Sequence, residues 1–133
     1  RALEDAGLGY APDLVRTADL TRRGGAQAAR HLLDQKPPPT ALVAANDLMA
    51  LGAMSVAQER GLRVGPDISI AGFDDIPAAE AVSLTTLNQP IYPIGRRLSA
   101  MLMTLISGGA LTERHVLLQP ELVLRKSVDS PRQ

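Results

Sequence analysis

The feature that most constrains this chain is a recurring unit: a short uncharged β-type run, a polar doublet just past it, and then a helical or turn signal. Thr40 to Ala45 reads TALVAA and is followed by Asn46-Asp47. Ile68 to Phe73 reads ISIAGF and is followed by Asp74-Asp75. Leu84 to Leu87 is followed by Asn88-Gln89. Runs of this kind without alternating polarity are expected when a strand is covered on both faces, which happens in parallel sheets flanked by helices. A helix is expected from Thr21 to Asp34, with Thr21 as N-cap and Ala26, Ala29, Leu32 and Leu33 on one face. Its two early glycines weaken the first turn unless another backbone passes close by. The prolines after Lys36 end it. A second helix is expected from Asn46-Asp47 to Arg60, stopped by Gly61, and a third from Ile91 to Ser107, closed by Gly108-Gly109. Strands alternating with helices through short loops imply an α/β fold with right-handed crossovers.

Weaker signals complete the pattern. Asp13 to Thr17, His115 to Leu118 and Leu122 to Leu124 read as short β segments, and Asp74 to Val82 as a loop with one helical turn. Arg1 to Gly7 reads as the last turns of a helix, so the chain is expected to begin inside something larger. The tail from Ser127 is expected to be polar and frayed.

The balance of 14 basic and 14 acidic residues in 133 gives no net charge, which argues against gripping nucleic acid by bulk electrostatics. The absence of cysteine excludes disulfides, thiol chemistry and cysteine zinc sites. No apolar run nears the roughly 18 residues of a membrane span. Two isolated histidines, His31 and His115, make no metal site, and neither a nucleophile elbow nor a glycine-rich phosphate loop occurs. The expectation is therefore a non-enzyme without cofactor, metal or catalytic residue.

The three polar doublets all fall past the carboxyl ends of strands, the edge where open parallel sheets bind ligands. Short donors and acceptors converging there suit a hydroxyl-rich small molecule. Each has a structural alternative. Asp47 reads first as an N-cap, Asn46 as a turn residue or a ligand contact, Asp74 and Asp75 as turn and cap, and Gln89 as a solvated loop residue.

The stretch PTALVAANDLMALGAMSVAQERGLRVGPDISIAGFDD (residues 39 to 75) resembles the effector-binding core of the lactose-repressor/galactose-repressor family of bacterial transcription regulators. The likeness continues through LTTLNQP (84 to 90), IGRR (94 to 97) and PELVLRKS (120 to 127), and earlier through RALEDAGLGYAPDLVRTADLT (1 to 21). The resemblance implies a periplasmic-binding-protein-like (type I) parallel-sheet sandwich. Residues 8–89 and 120–127 would form its carboxyl-terminal lobe. Residues 90–119, one helix and a short strand, would belong to the amino-terminal lobe, whose remainder is outside this chain together with the DNA-binding domain. It further implies a sugar-like or nucleoside-like effector held by Asn46, Asp74 and Gln89. Leu20 stands where relatives often carry an aromatic, offering apolar contact but no ring to stack. It also implies a cytoplasmic homodimer paired through Leu51, Met54 and Val82, with operator DNA bound only through the absent amino-terminal domain and no membrane partner. The alternative is a periplasmic-type sugar-binding protein of a transporter. The apolar residues around much of the helix Asp47 to Arg60 favour the dimeric regulator over it.

Overall fold

A computed structural model describes residues 2–130. The elements in order are α1 (Ala2–Asp5), a 3-10 turn (Pro12–Leu14), α2 (Arg22–Leu33), β1 (Ala41–Val43), α3 (Asp47–Glu59), β2 (Ser69–Ala71), α4 (Pro77–Ala81), β3 (Thr86–Asn88), α5 (Ile91–Ile106) and β4 (Glu121–Val123). β1 and β2 are parallel, with Leu42 opposite Ile70. β2 continues into β3 through parallel bridges at Ala71–Thr85 and Asp74–Asn88, with Gly72 N–H donating to Thr85 O and Asp74 N–H to Leu87 O. β4 runs antiparallel to β3, with Leu122 opposite Leu87. The spatial order is thus β1-β2-β3-β4.

Thr21 caps α2, its hydroxyl accepting from Gly24 N–H. The early glycines of that helix are there for close approach: a Cβ at Gly25 would strike the backbone of Met49, and one at Gly52 the carbonyl of Arg22. Backbone-to-backbone crossing presses α2 onto α3, and α3 in turn lies on β2. The core sits in this stack, with Ile68, Ile70, Leu84, Val56, Ala50 and Ala57 at most 2% exposed.

The three residues expected at a dimer surface sit differently in this stack. Leu51 and Met54 are 9% and 8% exposed and belong to the core cluster. α3 is covered by α2 on one side and the sheet on the other, so its surplus of apolar residues is used within the chain. Of the three residues, only Val82 is exposed.

Two of the weaker β segments do not form. Residues 13–17 begin as the 3-10 turn, with Val15 N–H bonded back to Pro12 O, and then run extended without a ladder. Residues 115–118 are exposed and unladdered. β propensity yields a strand only where a partner edge is in reach. The tail also departs from expectation. Ser127 is 2% exposed; its hydroxyl donates to Ile70 O at 2.5 Å and accepts from Thr85 N–H at 2.8 Å, while its carbonyl accepts from Ile70 N–H. It is a wedge between β2 and β3. Arg1 and the last three residues of the tail lie outside the described residues.

Asp47, expected as a cap, is not one. Asn46 caps α3, its carbonyl oxygen accepting from Met49 N–H. Asp47, fully buried at the first helical position, accepts from Thr86 Oγ1 at 2.6 Å and from Ile76 N–H at 2.9 Å. A Cβ at Gly72 would collide with its Oδ1. Removing the carboxyl strands two buried donors at about 1–3 kcal/mol each. Asp47→Ala is therefore expected to destabilise strongly. Gly72→Ala is expected to cost about 1–3 kcal/mol alone, and less in the Asp47→Ala background. Denaturant unfolding of the four proteins in that cycle checks this; equal costs in both backgrounds would show that the crowding is not with Asp47.

Candidate functional site

The three polar doublets end on one edge because the strands before them are parallel and in register. Asp47 N–H bonds Phe73 O at 2.8 Å, joining the Asn46-Asp47 peptide to the start of the Asp74 loop. Asp74 N–H bonds Leu87 O at 2.9 Å, joining that loop to the strand that leads to Gln89. Asn46, Asp74 and Gln89 are each half-buried, so each keeps surface toward solvent.

The side chains form two bonded pairs. Asn46 Nδ2 donates to Leu20 O at 3.1 Å, which fixes the entry to α2 against the start of α3. The Leu20 side chain is 62% exposed. Gln89 Nε2 donates to Asp74 Oδ1 at 2.5 Å. Asn46 thus does two tasks: its oxygen caps the helix and its nitrogen holds the Leu20 carbonyl. These two bonds use one of the two amide N–H groups and one of the two oxygen lone pairs. A ligand at this edge would reach the remaining lone pairs of Asp74 and the exposed face of Leu20.

The two aspartates differ. Asp75 does not open onto the edge; Oδ1 accepts from Arg125 at 2.7 Å and Oδ2 from Asn88 Nδ2 at 2.9 Å. Both ion-pair partners are largely covered, at 17% and 14% exposed. The hydrogen bond from Asn88 first, and then that from Arg125, hold its carboxyl below its ordinary value of 3.8 against the opposing effect of burial. Asp74 and Asp75 also carry φ of 119° and 57°, a region that strains any residue with a Cβ at about 1–3 kcal/mol each. Asp75 is expected from the sequence only as a turn or cap residue, without Arg125 as its partner. A charged residue directly after the apolar run Leu122 to Leu124 was the available sign, since a covered guanidinium needs an anion.

His31 and His115 are exposed. Among the described residues no group of three or more His, Asp or Glu could hold a metal ion, and no helix is long and apolar enough to cross a membrane. A groove of about 610 Å³ lies between α5 and residues 114–118, lined by Ile94, Leu98, Met101 and Leu117 among others. Its floor is mostly aliphatic, with Arg97, Arg114 and His115 also lining it, and it shares no lining residue with the polar edge.

The chain matches the model of the periplasmic binding protein-like domain over residues 1–128. It is similar to the HTH-type transcriptional repressor CytR of Escherichia coli K12, at 38% identity over 129 residues, which is 96% of this chain and 38% of that protein. It therefore spans about two-fifths of the length of that relative. Among solved structures it resembles the transcriptional regulator CelR in complex with cellobiose, with a TM-score of 0.89 at 37% identity over 95% of this chain and 39% of that one. It also resembles the lac repressor dimer bound to operator and the anti-inducer ONPF, with a TM-score of 0.86 at 35% identity over 96% of this chain and 44% of that one.

The Asp75 interactions set a pH dependence. A carboxyl whose folded-state pKa lies below its unfolded value adds stability above the unfolded value, and that stability is lost as pH falls through the folded one. Wild type is expected to be more stable than Asp75→Asn at neutral pH. The gap should begin to shrink near pH 3.8 and close below the lowered value. Thermal unfolding of both proteins from pH 7 downward reads it; a gap that is constant with pH would show that the ion pair contributes nothing.

Proposed function

Because the chain belongs to the periplasmic binding protein-like domain family, in the branch of the LacI-type transcriptional regulators, we propose that it is the effector-binding part of a bacterial repressor. In this reading a sugar-like or nucleoside-like molecule settles on the edge formed by Asn46, Asp74, Gln89 and Leu20, and operator binding belongs to sequence outside these 133 residues. The protein works in the cytoplasm and performs no catalysis. The observation that carries the proposal is the joining of Asn46, Asp74 and Gln89 on one sheet edge by the Asp47–Phe73 and Asp74–Leu87 backbone bonds. Relatedness to repressors favours the regulatory role.

In the same proposal, residues 90–119 belong to the amino-terminal lobe of the effector domain, and residues 8–89 with 120–127 to the carboxyl-terminal lobe. In support, α5 has no buried residue although it is strongly apolar on one face. Leu98, Leu102, Leu105 and Ile106 are all more than half exposed. An apolar stripe of that size is unfavourable in water, and a covering lobe would also close the ligand edge from above.

Two measurements bear on these readings. Titrating the full-length protein calorimetrically with a panel of mono- and disaccharides and ribonucleosides is expected to find one class that binds. Asp74→Ala is expected to weaken it at least about ten-fold, the loss of one or more bonds to a charged group. Binding that is indifferent to Asp74→Ala, or no binding by any compound at millimolar concentration, would sink the effector site. Undiminished binding by the 133-residue chain alone would remove the two-lobe assignment. Homodimerisation is part of the same proposal, now placed on exposed residues. Leu48 in the first turn of α3 and Val82 after α4 are each 43% exposed, and the Asp47–Ile76 bond brings those two elements together. Sedimentation of the full-length protein is expected to show a dimer that Val82→Asp or Leu48→Asp dissociates; a dimer unmoved by both would place the interface elsewhere.

A further inference from the structure

The loop after β2 is fastened to the two strands that lead to and from residues 90–119 at more points than a turn requires. Asp74 N–H bonds Leu87 O, and Asp74 Oδ1 accepts from Gln89 Nε2. Asp75 Oδ2 accepts from Asn88 Nδ2 at the end of β3, and Oδ1 accepts from Arg125, two residues past β4. Arg125 is itself anchored twice more: its other terminal nitrogen donates to Leu84 O at 2.8 Å, and its backbone N–H to Thr85 Oγ1 at 2.9 Å. The planar fork of a guanidinium can serve Leu84 O and Asp75 together, which a point charge on a flexible stem cannot. Both aspartates hold positive φ, a conformation that persists in non-glycine residues only when the surroundings over-determine it.

We propose that Asp75 and Arg125 are a positioning pair: they hold the Asp74 carboxylate toward the ligand edge and tie its aim to β3 and β4, so that movement of residues 90–119 relative to the core re-aims Asp74. The functional meaning rests on the effector reading given above; the mechanical coupling does not. Besides its backbone bond to Leu87 O, the Asp74 carboxylate takes a side-chain bond from Gln89 Nε2. Gln89 lies one residue before Pro90, where the chain leaves the core. A swing of the outgoing strand pulls on Gln89 and Asn88, and a swing of the returning strand pulls on Arg125. All three end on the same two carboxylates.

The test reads the Gln89 side-chain amide by nuclear magnetic resonance, and amide hydrogen exchange along the full chain, without any ligand. In wild type the Gln89 amide protons are expected to be distinct and slowly exchanging. In Asp75→Asn and Arg125→Met they should collapse toward a free amide, and residues 73–76 and 86–89 should exchange at least ten-fold faster, with α2 and α3 unchanged. Arg125→Lys should recover part of both signals. The proposal is overturned if the Gln89 amide is indifferent to breaking the pair, if exchange rises uniformly along the chain, or if lysine recovers nothing. Should Arg125→Met fail to fold, Asp75→Asn keeps the side-chain shape and carries the same readout. An intact Gln89 response in a wild-type protein that binds no ligand would retire the effector reading alone.

Discussion

The carboxyl of Asp47 is wholly enclosed, and three separate pieces of the chain end on it or against it. Its two oxygens take the Thr86 hydroxyl from β3 and the Ile76 N–H from the entry to α4, while its own N–H reaches Phe73 O beyond β2. Gly72 has no Cβ because the carboxyl fills that space. An enclosed polar group is costly unless it is bonded, and here a single misplaced segment would leave two donors unpaired. The relative placement of α3, the Asp74 loop and β3 is therefore nearly all-or-none. The candidate ligand residues come from those same three pieces. Asn46 precedes Asp47, Asp74 follows Phe73, and Gln89 lies three residues past Thr86.

Around that point the chain separates into a well-covered part and an uncovered one. α2, α3 and the β1–β2 pair close on each other through glycine contacts that let backbones touch. The tail completes this part, with Ser127 set between β2 and β3 and Lys126 N–H bonded to Ser83 O. α5 follows β3 in the chain and precedes β4, two three-residue strands paired to each other. Its ion pair, Arg97 with Glu113, lies on its own segment and at about half exposure adds little. The Asp75–Arg125 pair is different in kind, since it is covered and joins loop to crossing strand. Losing one partner there leaves a charge without compensation.

Local residue chemistry settled a good deal without any tertiary information. The cap at Thr21, the stop at Gly61 with its positive φ, the strands around Leu42 and Ile70, and the short helix after Asp74 all follow from propensity, proline and glycine placement and apolar pattern; the expected cover on both strand faces does not, since β1 buries Leu42 but leaves Val43 84% exposed. The common edge of the three doublets follows from parallel strands alone. What local chemistry did not settle was which neighbour each side chain would meet. Asn46 and Asp47 are adjacent and both able to cap; only the approach of Thr86 and Ile76 decided that Asn46 caps and Asp47 is enclosed. Asp74 and Asp75 are adjacent and chemically identical, and nothing local showed that Asp75 would be taken up by Asn88 and by Arg125, fifty residues on.

The same limit governs the two apolar helices. The sequence by itself determined that α3 and α5 are helices and that each carries more apolar surface than water tolerates. Only the tertiary structure decided that the surplus on α3, Leu51 and Met54 included, is consumed by α2 and the sheet, while that on α5 is left open. It likewise decided that residues 13–17 and 115–118 have no ladder and that the Ser127 hydroxyl is held between Thr85 N–H and Ile70 O. The reason is physical: helix periodicity and β propensity are properties of a few neighbouring residues, whereas burial and strand pairing depend on contacts between segments far apart in the chain.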